Sequence, residues 1–151
     1  MLELGSIRRY GLDLPMIVAA PPTLPAYIEQ FSALHANADF LVDGELRLTF
    51  GQTVALARRL ARGLMARGLK KGDHVGIAAR NSAGYVIAYM GVLMAGGCVA
   101  LLNGWWSAEE LAGGVTLAEC KLVLADPDRA KRLAALDLPN EMVVFEHGDP
   151  E

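Results

Sequence analysis

Residues 74–125, HVGIAARNSAGYVIAYMGVLMAGGCVALLNGWWSAEELAGGVTLAECKLVLA, carry the reading that decides the fold. Three short runs, His74 to Ala79, Cys98 to Leu102 and Lys121 to Ala125, are separated by two longer segments, Ser82 to Ala95 and Ser107 to Ala118, of helical length. The short runs are continuously apolar rather than alternating. Strands of that kind are buried on both faces, as in a parallel sheet whose crossover helices lie above and below it. The expected fold class is therefore α/β, a mostly parallel sheet with flanking helices. A rival reading starts from the same stretch: Asn81 to Trp106 holds no charged residue and is long enough to span a bilayer. Gly84, Gly91, Gly96, Gly97 and Gly104 interrupt it, and after Gly97 the character changes to that of a strand. A glycine pair between a helical segment and a short apolar run marks a helix stop followed by a strand. No membrane span is expected.

Further signals extend the pattern in both directions. Ser107 and Glu110 have the spacing of a capping box, and Asp126-Pro127 supplies an N-cap with proline at the first helical position for a helix reaching Leu136. A last strand is expected from Glu141 to Glu146. Upstream, Thr49 and Gln52 form another capping box, followed by Phe50, Val54, Ala57, Ala61 and Leu64 at helical spacing and by Gly68 as the stop. Phe40-Leu41-Val42 and Leu46-Arg47-Leu48 read as a hairpin turning at Asp43-Gly44. Thr23 caps a first helix to about Asn37, with Ile28, Phe31 and Leu34 inward. Before it, Pro15, Pro21, Pro22 and Pro25 punctuate a segment without core-forming periodicity. The expected organisation is an extended N-terminal segment, residues 1–22, and an α/β part, residues 23–151.

Composition agrees with a folded chain. An apolar fraction of 53% against 21% charged residues favours extensive burial in the 151 residues, enough for one domain. The net charge of -3 leaves no basic footprint for nucleic acid. Arg58, Arg59, Arg62 and Arg67 sit opposite an apolar stripe and read as a solvated helix face. Cys98 and Cys120 are far apart and lack a CxxC partner, so buried free thiols in a reducing cytoplasm are expected. Met1 to Arg9 places its arginines after a short apolar stretch, not before it, unlike a secretory signal.

Searches for chemistry come back nearly empty. There is no G-x-G-x-x-G, and the Gly63 to Gly68 spacing of a P-loop is followed by Leu69, not lysine. No G-x-S-x-G elbow is present, and Ser6, Ser32, Ser82 and Ser107 read as loop or cap residues. His35, His74 and His147 stand alone, and Asp73 after Lys70-Lys71-Gly72 reads as a turn acid bonding nearby amides. No catalytic, cofactor-binding or metal-ligating residue is assigned. Trp105 and Trp106 are the candidate ligand or partner contacts, because they lie in a βα loop at the carboxyl end of a strand, where open α/β sheets bind ligands. The alternative is that one ring packs under the following helix.

Taken in order, the segments resemble the N-terminal portion of the adenylate-forming enzymes, which include acyl-CoA synthetases, aryl-CoA ligases and luciferases. Leu48-Thr49-Phe50-Gly51-Gln52 is similar to "LTYxEL", Gly68-Leu69-Lys70-Lys71-Gly72-Asp73-His74-Val75 to "GVKKGDRVAI", and Asn81-Ser82 to the start of "NSPEF". Gly91 to Gly97 is similar to "GVLKAGAV", Leu101-Leu102-Asn103 to "PLNP", and Ser107 to Leu111 to "xxEEL". Ala100 and Gly104 stand where many members carry proline, and Gly84-Tyr85 replaces the common Pro-Glu. The resemblance implies a parent enzyme that activates a carboxylic acid with Mg-ATP to an acyl-adenylate and passes the acyl group to coenzyme A. It also implies that the phosphate loop, adenine motif, ribose-binding Asp, hinge and C-terminal Lys lie downstream of Glu151, so that ATP, Mg and coenzyme A are cofactors of the parent and none belongs to this chain. Its expected partner is the downstream part of that enzyme or a second copy of itself. A stand-alone, catalytically silent α/β module that binds an acyl-CoA or a protein is the competing reading.

Overall fold

The computed structural model describes residues 3–136, 138 and 140–145. Its elements run β1 (Leu4–Arg9), β2 (Leu12–Ile17), α1 (Leu24–Leu34), β3 (Asp39–Asp43), β4 (Leu46–Thr49), α2 (Phe50–Ala66), β5 (His74–Ala78), α3 (Ala83–Met94), β6 (Cys98–Leu102), α4 (Ala108–Leu117), β7 (Cys120–Ala125), α5 (Pro127–Ala134) and β8 (Glu141–Val144). The last four strands form one sheet in the order β6-β5-β7-β8, with every neighbouring pair parallel.

Strand alternation divides the core between two faces. Val75 and Ile77 of β5 and Leu122 and Leu124 of β7 meet Ala61 and Leu64 of α2 and Ala88 and Val92 of α3. On the other face Leu102, Val123 and Ala125 meet Leu111 and Val115 of α4 and Ala130 and Leu133 of α5. Ile77 and Leu64 are almost completely buried, and each such side chain contributes about 1.5–3 kcal/mol relative to exposure. Gly91 lets α3 approach α2, because a Cβ there would lie 2.7 Å from Leu60 Cδ2.

Both capping boxes are present. Gln52 N–H donates to Thr49 Oγ1 at 3.2 Å while Thr49 N–H donates to Gln52 Oε1 at 2.9 Å, and Ser107 and Glu110 do the same at 3.2 and 2.8 Å. The uncharged stretch is not one helix. Gly96 takes φ +84°, which ends α3 and turns the chain into β6. Among the described residues no helix is long and apolar enough to cross a membrane.

Several expectations need correction. The first helix ends at Leu34, and its buried stripe runs through Ile28 and Ser32, one turn apart. Phe31 and Leu34 fall on the next stripe and stay exposed, Phe31 stacking on Tyr27 at 4.3 Å. Ser32 is thus a buried helical residue and Ser6 a strand residue, neither a cap nor a loop position. In the β3–β4 hairpin Asp43 pairs with Leu46, so the turn is Gly44-Glu45, one residue later than expected. Residues 4–17 are a hairpin, with Tyr10 and Gly11 at φ +51° and +79° as a tight primed turn requires. Cys98 is exposed on the edge strand β6, so only Cys120 is a buried thiol. Glu146 and His147 lie outside the described residues, and β8 is described to Val144.

At the amino edge of the sheet Asp73 Oδ2 accepts from the Lys70 N–H at 2.8 Å and from Lys121 Nζ at 2.7 Å, and Lys121 also donates to the Gly68 carbonyl at 2.6 Å. The Lys121 hydrogen bond, followed by the Lys70 amide, holds the Asp73 carboxyl below the ordinary carboxylate range. A depressed folded-state value stabilises the fold above the unfolded value, and that stabilisation is lost as pH falls through the folded one. Asp73→Asn should therefore lower the melting temperature at neutral pH and flatten its fall on acidification below the usual carboxylate range, compared by thermal scans at a series of pH values.

A cleft at the carboxyl edge

The connections leaving the sheet diverge at the carboxyl ends of β5 and β6. β5 runs into α3 on one face, whereas β6 runs into α4 on the other. Such a switch point opens a crevice by topology alone. Here it is an open cleft of about 470 Å³ lined by Arg80, Asn81, Tyr85, Leu101, Asn103 and Trp105, with Arg129 beneath.

Its shape is held by one buried carboxylate. Asp126 and Arg129 are both buried, with 0% and 7% of their side chains accessible, and pair at 3.1 Å. Asp126 Oδ1 accepts the Arg129 N–H at 2.9 Å as the N-cap of α5, and Oδ2 accepts the Arg80 N–H at 2.9 Å from the β5–α3 loop. Arg129 Nε donates to the Gly104 carbonyl at 2.8 Å in the β6–α4 loop. Arg132, one turn along α5, donates to the carbonyls of Trp106 at 3.1 Å and Gly104 at 3.4 Å. Loops from three strands are thereby tied together under the cleft.

The two tryptophans divide the alternatives between them. Trp105 stands 88% exposed at the cleft, its N–H donating to Asn103 Oδ1 at 3.0 Å. Trp106 is half-buried and packs against α4: a Cβ on Gly114 would lie 2.9 Å from its Cζ3. Sequence reasoning passed over Arg80, Asn81, Tyr85 and Arg129. Asp126 was legible as a helix cap, but Arg129 three residues later reads as an ordinary surface partner, and nothing local shows that both are buried. Desolvation raises the Tyr85 phenol above its ordinary value, with a smaller contribution from Tyr89.

The helix N-termini around the cleft are already engaged. All three helix N-termini at this edge already have side-chain acceptors: Ala83 N–H donates to Asp43 Oδ2 at 2.9 Å, Tyr85 N–H to Ser82 Oγ at 3.1 Å, Glu110 N–H to Ser107 Oγ, and Arg129 N–H to Asp126. Among the described residues no three His, Cys, Asp or Glu side chains gather as a metal site. His74 Nδ1 lies 2.6 Å from the Ala118 carbonyl at the opposite edge, and His35 tilts against Phe50, so neither joins the cleft.

A parallel sheet with helices on both faces and a cleft at its switch point defines the class, a doubly wound α/β unit. The particular family follows from comparison: a sequence model of the AMP-binding enzymes matches residues 28–150, and the chain belongs to that family. It is 34% identical over 103 residues to the medium/long-chain-fatty-acid–CoA ligase FadD6 of Mycobacterium tuberculosis, covering 68% of this chain and 17% of that protein. It is 28% identical over 135 residues to 4-coumarate–CoA ligase 3 of Arabidopsis thaliana, covering 87% of this chain and 24% of the relative. The chain thus spans less than a quarter of the length of these relatives. The crystallised N-terminal domain of FACL13 from Mycobacterium tuberculosis superposes with a TM-score of 0.75 at 21% identity, over 82% of this chain and 34% of that one, which shows a shared fold. This is the N-terminal acyl-CoA ligase fold expected from the motif order.

The division of labour between the rings has a measurable consequence. Trp106→Ala should cost about 2 kcal/mol by removing a half-buried aromatic, whereas Trp105→Ala should stay within about 0.5 kcal/mol of the parent. Urea denaturation of the two variants compares them directly.

Proposed function

We propose that this chain is the N-terminal part of an ATP-dependent acid–CoA ligase, which activates a carboxylic acid as an acyl-adenylate and transfers it to coenzyme A. The observation that carries the reading is the family match over residues 28–150 together with the acyl-CoA ligases among its relatives. Within such an enzyme residues 23–151 are the first α/β unit, and residues 1–22 are an appended segment. Trp105 is the side chain proposed to contact a ligand or the adjoining part of the enzyme, and Trp106 is the packing element beneath α4. ATP, magnesium and coenzyme A are cofactors of the whole enzyme. The capped helix N-termini at the cleft support the view that these 151 residues alone do not hold the nucleotide. The exposed free thiol of Cys98 favours a reducing, cytoplasmic setting.

Adenylation depends on preorganised positive charge around the transferred group, and the cleft does not assemble that field. The 151-residue chain should therefore give ATP–pyrophosphate exchange at background level with fatty and aromatic acids, while a version extended to the length of its relatives should give acid-dependent exchange. No acid-dependent exchange in the extended form across such a panel would overturn the ligase reading.

Among the described residues the sheet ends at β6, with Leu101 54% exposed, and at β8, with Val144 51% exposed, and the β1–β2 hairpin leaves Leu4, Leu12 and Leu14 exposed. Open edges with apolar side chains invite pairing. The proposed cover is the rest of the enzyme or, in the isolated chain, a second copy. Light scattering coupled to size exclusion should show self-association that grows with concentration, and a monomer at every concentration tested would count against it.

A further inference from the structure

We infer that Arg129 is a positioning residue for the cleft: its guanidinium, oriented by Asp126, holds the carbonyl of Gly104 and so sets where the Trp105 loop stands. The inference rests on the proposed role of the cleft only for its functional meaning, since the geometry itself needs no ligand.

Two features make this more than a cap with a neighbour. The first is the use of the guanidinium plane. Arg129 Nη1 donates to Asp126 Oδ2 at 3.1 Å while Nε donates to the Gly104 carbonyl at 2.8 Å, so one rigid fork spans α5 and the β6–α4 loop. Both residues are buried, which shields the contacts from competition by water. The second feature is Gly104. A Cβ at that position would lie 3.0 Å from the Ala79 carbonyl oxygen and 3.3 Å from Arg129 Nε. The glycine is what lets the loop close down between the end of β5 and the arginine. Arg132 adds a solvent-side contact to the same carbonyl and to that of Trp106.

Trp105 and Trp106 follow Gly104 directly. The Trp106 N–H turns back to the Asn103 carbonyl at 3.1 Å, so the loop is a compact turn whose buried anchor is the Gly104 carbonyl on Arg129 and whose solvent-side anchor is Arg132. If Arg129 merely stabilised the fold, weakening it would loosen β5 and β7 as much as the loop. A positioning role predicts a local effect.

Lysine separates the two. It keeps a positive charge beside Asp126 but gathers its donors at one point on a flexible stem, so it cannot reproduce the fixed separation at which the Nε and Nη1 of the planar fork meet the Gly104 carbonyl and Asp126. Amide hydrogen exchange of the 151-residue chain is the readout. Arg129→Lys should speed exchange at Trp105, Trp106 and Ser107 by about tenfold, and leave Val75, Ile77 and Leu124 within about threefold of the parent. Gly104→Ala, whose Cβ meets the Ala79 carbonyl oxygen at 3.0 Å and Arg129 Nε at 3.3 Å and so pushes the loop off the guanidinium while leaving the Asp126 pair in place, should give the same local pattern; it also serves as the test should Arg129→Lys not fold. Unchanged exchange at 105–107 in the folded variants, or an equal rise across β5 and β7, would overturn the inference. Because no ligand is added, that failure is distinct from failure of the ligase reading, which the exchange of pyrophosphate decides.

Discussion

The buried carboxylate of Asp126 is the constraint on which the carboxyl edge depends. In an apolar interior an ionised group must be paired and hydrogen-bonded, and removing one partner of a buried pair costs about 3–5 kcal/mol by leaving the other uncompensated. Asp126 meets that demand by drawing in groups from three separate connections: its own helix start, the Arg80 amide after β5, and Arg129, which in turn holds Gly104 after β6. The need to satisfy one charge thus converts three independent βα loops into a single rim. The cleft at the switch point is what that rim encloses.

The opposite edge is built on a different principle. There Asp73 and Lys121 pair half in solvent, together with the Gly68 carbonyl and the Lys70 amide, and they join the end of α2 to β5 and β7. Such a pair is screened by water, whereas the Asp126 pair is buried. The fold therefore places its solvent-screened tie at the amino edge and its buried tie at the carboxyl edge, under the cleft.

Much of the framework was readable along the chain, because it is set by local chemistry. The capping boxes at Thr49 and Ser107 appear as expected, since a hydroxyl and a carboxamide or carboxylate three residues apart satisfy each other's backbone donors regardless of what lies beyond. The continuous apolar runs gave the parallel strands, because only burial on both faces tolerates them. The N-terminal hairpin escaped notice: its turn, Tyr10-Gly11, lacks the usual Asn or Asp, and Pro15 interrupts the strand pattern. The inward face of α1 was misplaced for a related reason. Phe31 and Leu34 are strongly apolar, but the helix buries Ser32 and packs Ile28 against Val54 and Ala57 of α2 and Met90 of α3, and hydrophobicity alone does not choose between adjacent stripes.

From residue 23 onward the sequence by itself determined the element types, their order, the parallel sheet and the family, all of which follow from periodicity, capping and motif spacing within a few residues of each position. Only the tertiary structure decided which tryptophan packs and which faces the cleft, that Asp43 caps α3 from 40 residues away, and that Asp126 and Arg129 lie buried as a clasp. The reason is physical: burial and long-range hydrogen bonding depend on which loops the sheet topology brings side by side, and that adjacency is written in no single segment of the chain.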